Sequence, residues 1–348
     1  MGELPTLKLV SGAAAPAGSL SAPPPEDPTT AGVSLRARPP PQRLGGRTRR
    51  IIAVGGGKGG IGKSLIAANL GIELARRGRR VVLVDADLGG ANLHTCLGIE
   101  RPGRTLSDFV ERRVERIEEV ATPTGVPGLT LVSGAMDHLE AANPRHAQKM
   151  RLLRHVQSME VDFAILDLGA GTHHNVLDFF LVADHGLLVL VPEPTAVENA
   201  YRFVKAAFWR RLRNVAGVFG YDALLRSLLG SGTFRSPVEL VQALGERDPE
   251  AAANLLQQLD SFRPRLIVNQ ARTSQDVGVG SAVVMAWKRY FGLGMDYLGA
   301  IDYEDEVWRA VRARRPLLLE NPGSRSARSF GRIADGLLAL DAVGERLP

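Results

Sequence analysis

An apolar run, Ile51 to Val54, leads directly into Gly57-Lys58-Gly59-Gly60-Ile61-Gly62-Lys63-Ser64, and a helical stretch from Lys63 to Arg77 follows at once. A strand must stop, turn through the six glycines between Val54 and Lys63, and start a helix within a few residues. The segment fits G-x-x-x-x-G-K-[ST] in the strand, loop and helix setting that gives this pattern its meaning. Glycines let consecutive backbone N–H groups turn inward around a phosphate, and the helix start adds its positive dipole end. Lys63 is then placed to bridge β- and γ-phosphates, with the Ser64 hydroxyl a ligand for Mg²⁺. The expected ligand is a nucleoside triphosphate held along Gly57 to Ser64.

Further short apolar runs, Val81 to Val84, Phe163 to Leu166, Gly186 to Val191 and Leu266 to Val268, are bounded by charge or glycine. They read as strands buried on both faces of a parallel sheet. Helical stretches lie between them at His146 to Gln157, Ala196 to Arg210 and Glu304 to Ala313. The alternation predicts an α/β fold with a doubly wound, mostly parallel sheet. Residues 211–264 break the rhythm and read as a helical insertion within a domain spanning 50–348. Ser236-Pro237 and Asp248-Pro249 read as helix starts there.

Residues 1–49 are rich in Pro, Ala and Arg, include Pro23-Pro24-Pro25 and Pro39-Pro40-Pro41, and are expected to be a disordered tail. Of the formal charge of +6, residues 1–50 carry +4, so a basic partner surface would lie mainly in the tail. No apolar run reaches the length of a membrane span and no secretory signal is apparent, so the cytoplasm is expected. The single cysteine, Cys96, excludes an internal disulfide and a multi-cysteine metal site within one chain, and reads as a small buried apolar residue.

Acids close two of the strands. Asp85-Ala86-Asp87 follows Val81 to Val84, at the carboxyl end where open α/β sheets hold their ligands. Phe163-Ala164-Ile165-Leu166-Asp167 ends likewise, in the Walker B pattern that holds Mg²⁺ through water. Asp85 has two readings, support for the metal or a cap on the following turn. His173 and His174, with no third ligand beside them, read as solvated or hydrogen-bonding rather than metal-binding.

Lys58 and the paired Gly59-Gly60 give the loop the form G-K-G-G-x-G-K-[ST], which resembles the deviant Walker A motif of the MinD/ParA family. The resemblance covers roughly Arg50 to Arg210 and Pro264 to Leu340. Gly169-Ala170-Gly171 and Pro192-Glu193-Pro194-Thr195 are similar to the FlhG and MinD branch. It implies a SIMIBI-type P-loop NTPase fold, ATP and Mg²⁺ as cofactors, and an ATP-dependent homodimer in which Lys58 reaches the partner's nucleotide. It also implies that Asp87, in the first switch, orients the attacking water near the metal; that Ser64, Asp87 and Asp167 serve Mg²⁺; and that Asn269 reads adenine. The loop Leu298 to Tyr303 would lie beside the base, with Asp302 where proline is usual.

The function so implied is a slow, partner-stimulated ATPase acting as a dimerisation switch in the spatial organisation of a bacterial cell, at a division site or at flagellar or polar machinery. Its activator or cargo is not named by any motif. A ParA-type partitioning ATPase on nonspecific DNA is the alternative, with Arg202, Lys205, Arg210, Arg211 and Arg213 as its candidate basic face. The inner face of the plasma membrane is the alternative location. Ile333 to Leu347 carries Asp335, Asp341 and Glu345 with no lysine and no aromatic residue, unlike a lipid-binding basic helix. Relatives that bridge an iron–sulfur cluster need paired cysteines, which Cys96 alone cannot supply. A nucleotide scaffold without turnover has no need of Lys58, Lys63, Asp87 and Asp167 together.

Overall fold

A computed structural model of the chain describes residues 43–44, 47–87, 90–134, 146–231, 234 and 236–344. Most of the expected tail, residues 1–42, lies outside the described residues, as do Leu88 and Gly89 after the first switch acids. Arg43–Leu44 and Arg47–Thr48 pair as a short antiparallel ribbon.

Eight strands form one sheet: β1 (Arg50–Gly55), β2 (Val81–Ala86), β3 (Ala121–Pro123), β4 (Leu129–Val132), β5 (Phe163–Leu168), β6 (His185–Leu190), β7 (Arg265–Ala271) and β8 (Asp296–Asp302). Their spatial order is β8-β7-β6-β1-β5-β2-β4-β3, parallel except for the edge strand β3. The doubly wound, mostly parallel α/β architecture expected from the sequence is the one observed. The central strands β2 and β5 are buried along their whole length, as near-continuous apolar runs require when both faces are covered.

One face is covered by helix α1 (Lys63–Arg76), the short α2 (Leu93–Cys96), and the C-terminal helix α13 (Arg325–Gly344), with Ile66, Leu70, Phe330 and Ile333 in its core. The other carries α4 (His146–Ser158), α5 (His174–Val182), α6 (Pro194–Phe219) and α10 (Ser274–Phe291), packed around Phe179, Phe203, Phe208 and Phe291. Between the two groups in chain order come α3 (Leu106–Val110), α11 (Asp305–Arg312) and α12 (Leu317–Glu320).

Helix α6 runs on past Arg211 and stops only at Gly220, whose φ of 78° takes the left-handed form that ends helices. The rest of 211–264 folds as α7 (Asp222–Ser231), α8 (Pro237–Arg247) and α9 (Pro249–Asp260). Ser236 accepts a hydrogen bond from the Glu239 N–H, and Asp248 from that of Ala251, each capping a helix that opens on proline. Leu228, Leu240, Leu244 and Leu255 join the same core as α6, so this segment shares the domain's apolar interior. Among the described residues no helix is long and apolar enough to cross a membrane.

Candidate active site

Strand order gathers the site at the carboxyl ends of β1, β5, β2 and β7. Val54 lies opposite Asp167, and Asp167 opposite Asp85, in adjacent registers. The loop from Gly56 to Gly62 closes over these ends before α1 begins. Gly62 takes φ 91°, and a β-carbon there would lie 2.4 Å from Asn269 Nδ2. A β-carbon at Gly57 would lie 2.0 Å from the Asn199 carbonyl oxygen, so only glycine lets the loop lie against the first turns of α6.

Lys63 is buried at the start of α1, and its Nζ donates to the Lys58 carbonyl at 3.3 Å. Burial draws its ammonium below the ordinary lysine range, opposed by the charges of Asp167 and Asp87. Lys58 extends from the loop, 41% exposed, and pairs with Glu193 at 3.3 Å. That contact exists because β6 adjoins β1, which brings the end of β6 and its Glu193 beside the loop.

Asp167 is 1% exposed, and burial pushes its carboxyl up to about 7 against the lowering effects of a Ser64 hydrogen bond and the Lys63 charge. Its Oδ1 is buried without a hydrogen-bond partner. Such an orphaned acceptor beside a hydroxyl suits a hard cation that takes oxygen ligands. Ser64 and Asp167 would therefore hold Mg²⁺, which on binding would neutralise charge on the phosphate oxygens.

Asp85 is fully buried. Burial, followed by the neighbouring charge of Asp167, pushes its carboxyl up to about 8. One oxygen accepts the Asp87 N–H at 3.2 Å and the other the Leu93 N–H at 3.0 Å. Of the two readings of Asp85, the geometry matches the cap: it folds the first switch back onto α2. Asp87 lies at the rim, partly exposed, against Leu168 to Gly171, the segment after the Walker B acid that corresponds to the family's second switch; a β-carbon at Gly169 would be 3.0 Å from its Oδ1. Ala170 faces Gly59, the β-carbon of the one 3.9 Å from where a β-carbon would stand on the other. Phosphate loop, first switch and second switch thus meet around one space.

Asn269 is 3% exposed and donates from Nδ2 to the Ile61 carbonyl at 2.8 Å. In this state its amide braces the phosphate loop from β7, a task the sequence did not suggest. The expected base-side loop is mostly strand β8, where Gly299 takes φ 134° and the Asp302 carboxylate accepts from the Ser329 hydroxyl at 3.2 Å. Cys96 ends α2 only partly buried, and burial pushes its thiol up to about 11. The arrangement can cradle a triphosphate and hold its metal, with the Asp87 carboxylate at the rim of the same space.

A protein-family model described as ParA, the NUBPL iron-transfer P-loop NTPase, matches residues 47–218. Antiactivator FleN of Pseudomonas aeruginosa is 30% identical over 286 residues, covering 82% of this chain and 85% of that protein. The chain belongs to the MinD/ParA family of P-loop ATPases. Within that family it is also similar to the septum site-determining protein MinD of Synechocystis, at 35% identity over 156 residues, 44% of this chain and 58% of that one. Among solved structures, the Pyrococcus furiosus cell division ATPase MinD aligns with a TM-score of 0.58 at 21% identity, over 84% of this chain and 99% of that chain. MinD of Pyrococcus horikoshii, complexed with Mg-ADP, aligns at 0.59 and 19% identity, over 86% and 100%. At these identities the likeness is one of fold, and this MinD/ParA protein shares it across nearly the whole of those chains.

The residues that the contiguous motifs picked out come together at the strand ends. Sequence reasoning did not find the contacts of Glu193 or the Asn199 carbonyl, although Pro192-Glu193-Pro194-Thr195 stood out as a signature at a strand end.

Proposed function

We propose that this ATPase is a dimerisation switch: ATP joins two copies, the joined form engages a partner that organises position within a bacterial cell, and hydrolysis separates them. The observation that carries the reading is Lys58. It sits on the exposed rim of a complete phosphate site, where its ammonium reaches outward to Glu193 while Lys63 serves the interior. A cation delivered from a second subunit would offset charge developing on the γ-phosphate. ATP then favours the joined state because it has contacts there that it lacks in the separated one.

The names of the relatives, antiactivator and septum site-determining protein, support a regulatory and positional role. Slow turnover stimulated by a partner, cytoplasmic location and an activator or cargo protein belong to the same proposal. Its DNA-bound alternative has less support, since three of the candidate residues of α6 are already engaged within the chain. Arg210 is buried on Asp178, Arg211 donates to the Gln258 carbonyl and the Ser261 hydroxyl, and Arg202 pairs with Glu198.

The test combines two measurements. Light scattering of Asp87→Ala with ATP should show a stable dimer, and a fluorescent fusion should occupy a defined cellular position that Lys63→Ala loses. A protein monomeric with ATP, or a fusion whose position ignores Lys63→Ala, would overturn the reading.

A further inference from the structure

Asp178 lies on α5 just beyond the second switch, with its side chain 1% exposed, and holds two buried cations. Lys149 of α4 pairs with Oδ2 and Arg210 of α6 with Oδ1; their side chains are 6% and 5% exposed. A carboxylate so deeply buried needs one cation for balance, and here it has two. The second has a further contact. Arg210 Nη1 lies 2.9 Å from His174 Nδ1, and a guanidinium can only donate, so that ring nitrogen accepts. His174 is the first residue of α5, and the chain reaches it from Gly169, which abuts Asp87, and Ala170, which faces Gly59. The second switch is therefore held at both ends, by β5 on one side and by His174 on Arg210 on the other.

We propose that Arg210 is a positioning residue for ATP hydrolysis: anchored on Asp178, it fixes His174 and with it the register of Gly169 to Thr172 against Asp87 and the phosphate loop. Lys149 supplies the balancing charge and does not touch the switch. The inference rests on the ATPase reading and assigns Arg210 no contact with nucleotide. Positioning groups of this kind act on turnover more than on ground-state binding, because small displacements of the reacting groups weigh most in the transition state.

Two variants separate this from a purely structural ion pair. Lys149→Met and Arg210→Met each leave Asp178 with one cation, but only the second takes the guanidinium away from His174. Steady-state hydrolysis is measured on the full chain after the wild type is shown to exceed Lys63→Ala, which tests the ATPase reading first. Nucleotide affinity is followed in parallel with a fluorescent ATP analogue. Arg210→Met and His174→Ala should each lower kcat about tenfold with KM and nucleotide affinity unchanged, and the double variant should be no slower than either. Lys149→Met should keep the wild-type kcat, and His174→Gln, which retains an acceptor, should recover part of the loss. Equal losses for Lys149→Met and Arg210→Met, or a His174→Ala protein with normal kcat, would overturn the proposal. Should Arg210→Met fail to fold, His174→Ala against His174→Gln decides the same question.

Discussion

Lys58 Nζ and Glu193 Oε2 stand 3.3 Å apart on the rim of the phosphate site, both side chains well exposed at 41% and 60%. An ion pair this open to solvent contributes about 0–1 kcal/mol and is screened by salt. The lysine is thus held loosely and is available to a second subunit at little cost.

The first prediction follows from that weakness. Lys58→Ala should melt within about 2 °C of the wild type, since only an exposed pair is lost. It should still bind ATP, because Lys63 and the loop amides remain, yet elute as a monomer in its presence. An ATP-dependent dimer of wild-type stability on light scattering would count against the trans role of the lysine.

The second concerns Asp87. Its carboxylate lies against Gly169 of the second switch. Asp87→Ala should therefore bind ATP with affinity within about threefold of the wild type and hydrolyse it about a hundredfold more slowly. Calorimetry and phosphate release measure the two, and unchanged release would remove Asp87 from the mechanism.

Asn269 offers a way to tell a loop brace from a base reader. If its amide acts through the Ile61 carbonyl alone, Asn269→Ala should weaken ATP and GTP by the same factor, about tenfold, since a buried carbonyl loses its donor. A loss confined to ATP would instead show that the side chain swings to the adenine when nucleotide binds.

The fourth prediction is one of stability against pH. Burial would raise the Glu304 carboxyl, but hydrogen bonds from the Ser326 and Arg325 N–H groups at the start of α13 outweigh it and bring the group down to about 2. Its folded value lies below the unfolded one, so its stabilisation is complete above the ordinary glutamate range and is lost as pH falls toward 2. Glu304→Gln should cost about 1–2 kcal/mol at neutral pH, discounted because Arg325 is largely exposed. The gap from the wild type should narrow as denaturation curves are taken from pH 5 down to pH 3 and close only as pH approaches 2. A gap as wide at pH 3 as at pH 5 would argue against the carboxylate as its cause.

Legibility in the sequence followed burial and contiguity. The runs at Ile51, Val81, Phe163, Gly186 and Leu266 showed themselves because strands covered on both faces must be apolar throughout. Strand β8 did not, since at the sheet edge six of its seven residues are only partly buried, and it read as a loop. Helix α6 was read only as far as Arg210 because residues 211–264 break the alternation of strand and helix. The physical stop is Gly220, ten residues on. In the site, Gly57 to Ser64, Asp85, Asp87 and Asp167 could be read because each sits in a local pattern. Glu193, the Asn199 carbonyl and the partners of Asp178 come together through strand order and helix packing, which no stretch of sequence states.

Helix α6 begins at the phosphate loop and ends beside α9, a rod of 26 residues, about 39 Å long at 1.5 Å per residue. With the Asn199 carbonyl where a side chain at Gly57 would have to be, loop and rod have no slack between them. A shift of the loop at Gly57 would therefore press on the helix itself, and the helices from Asp222 to Asp260 share the apolar core in which that helix is set.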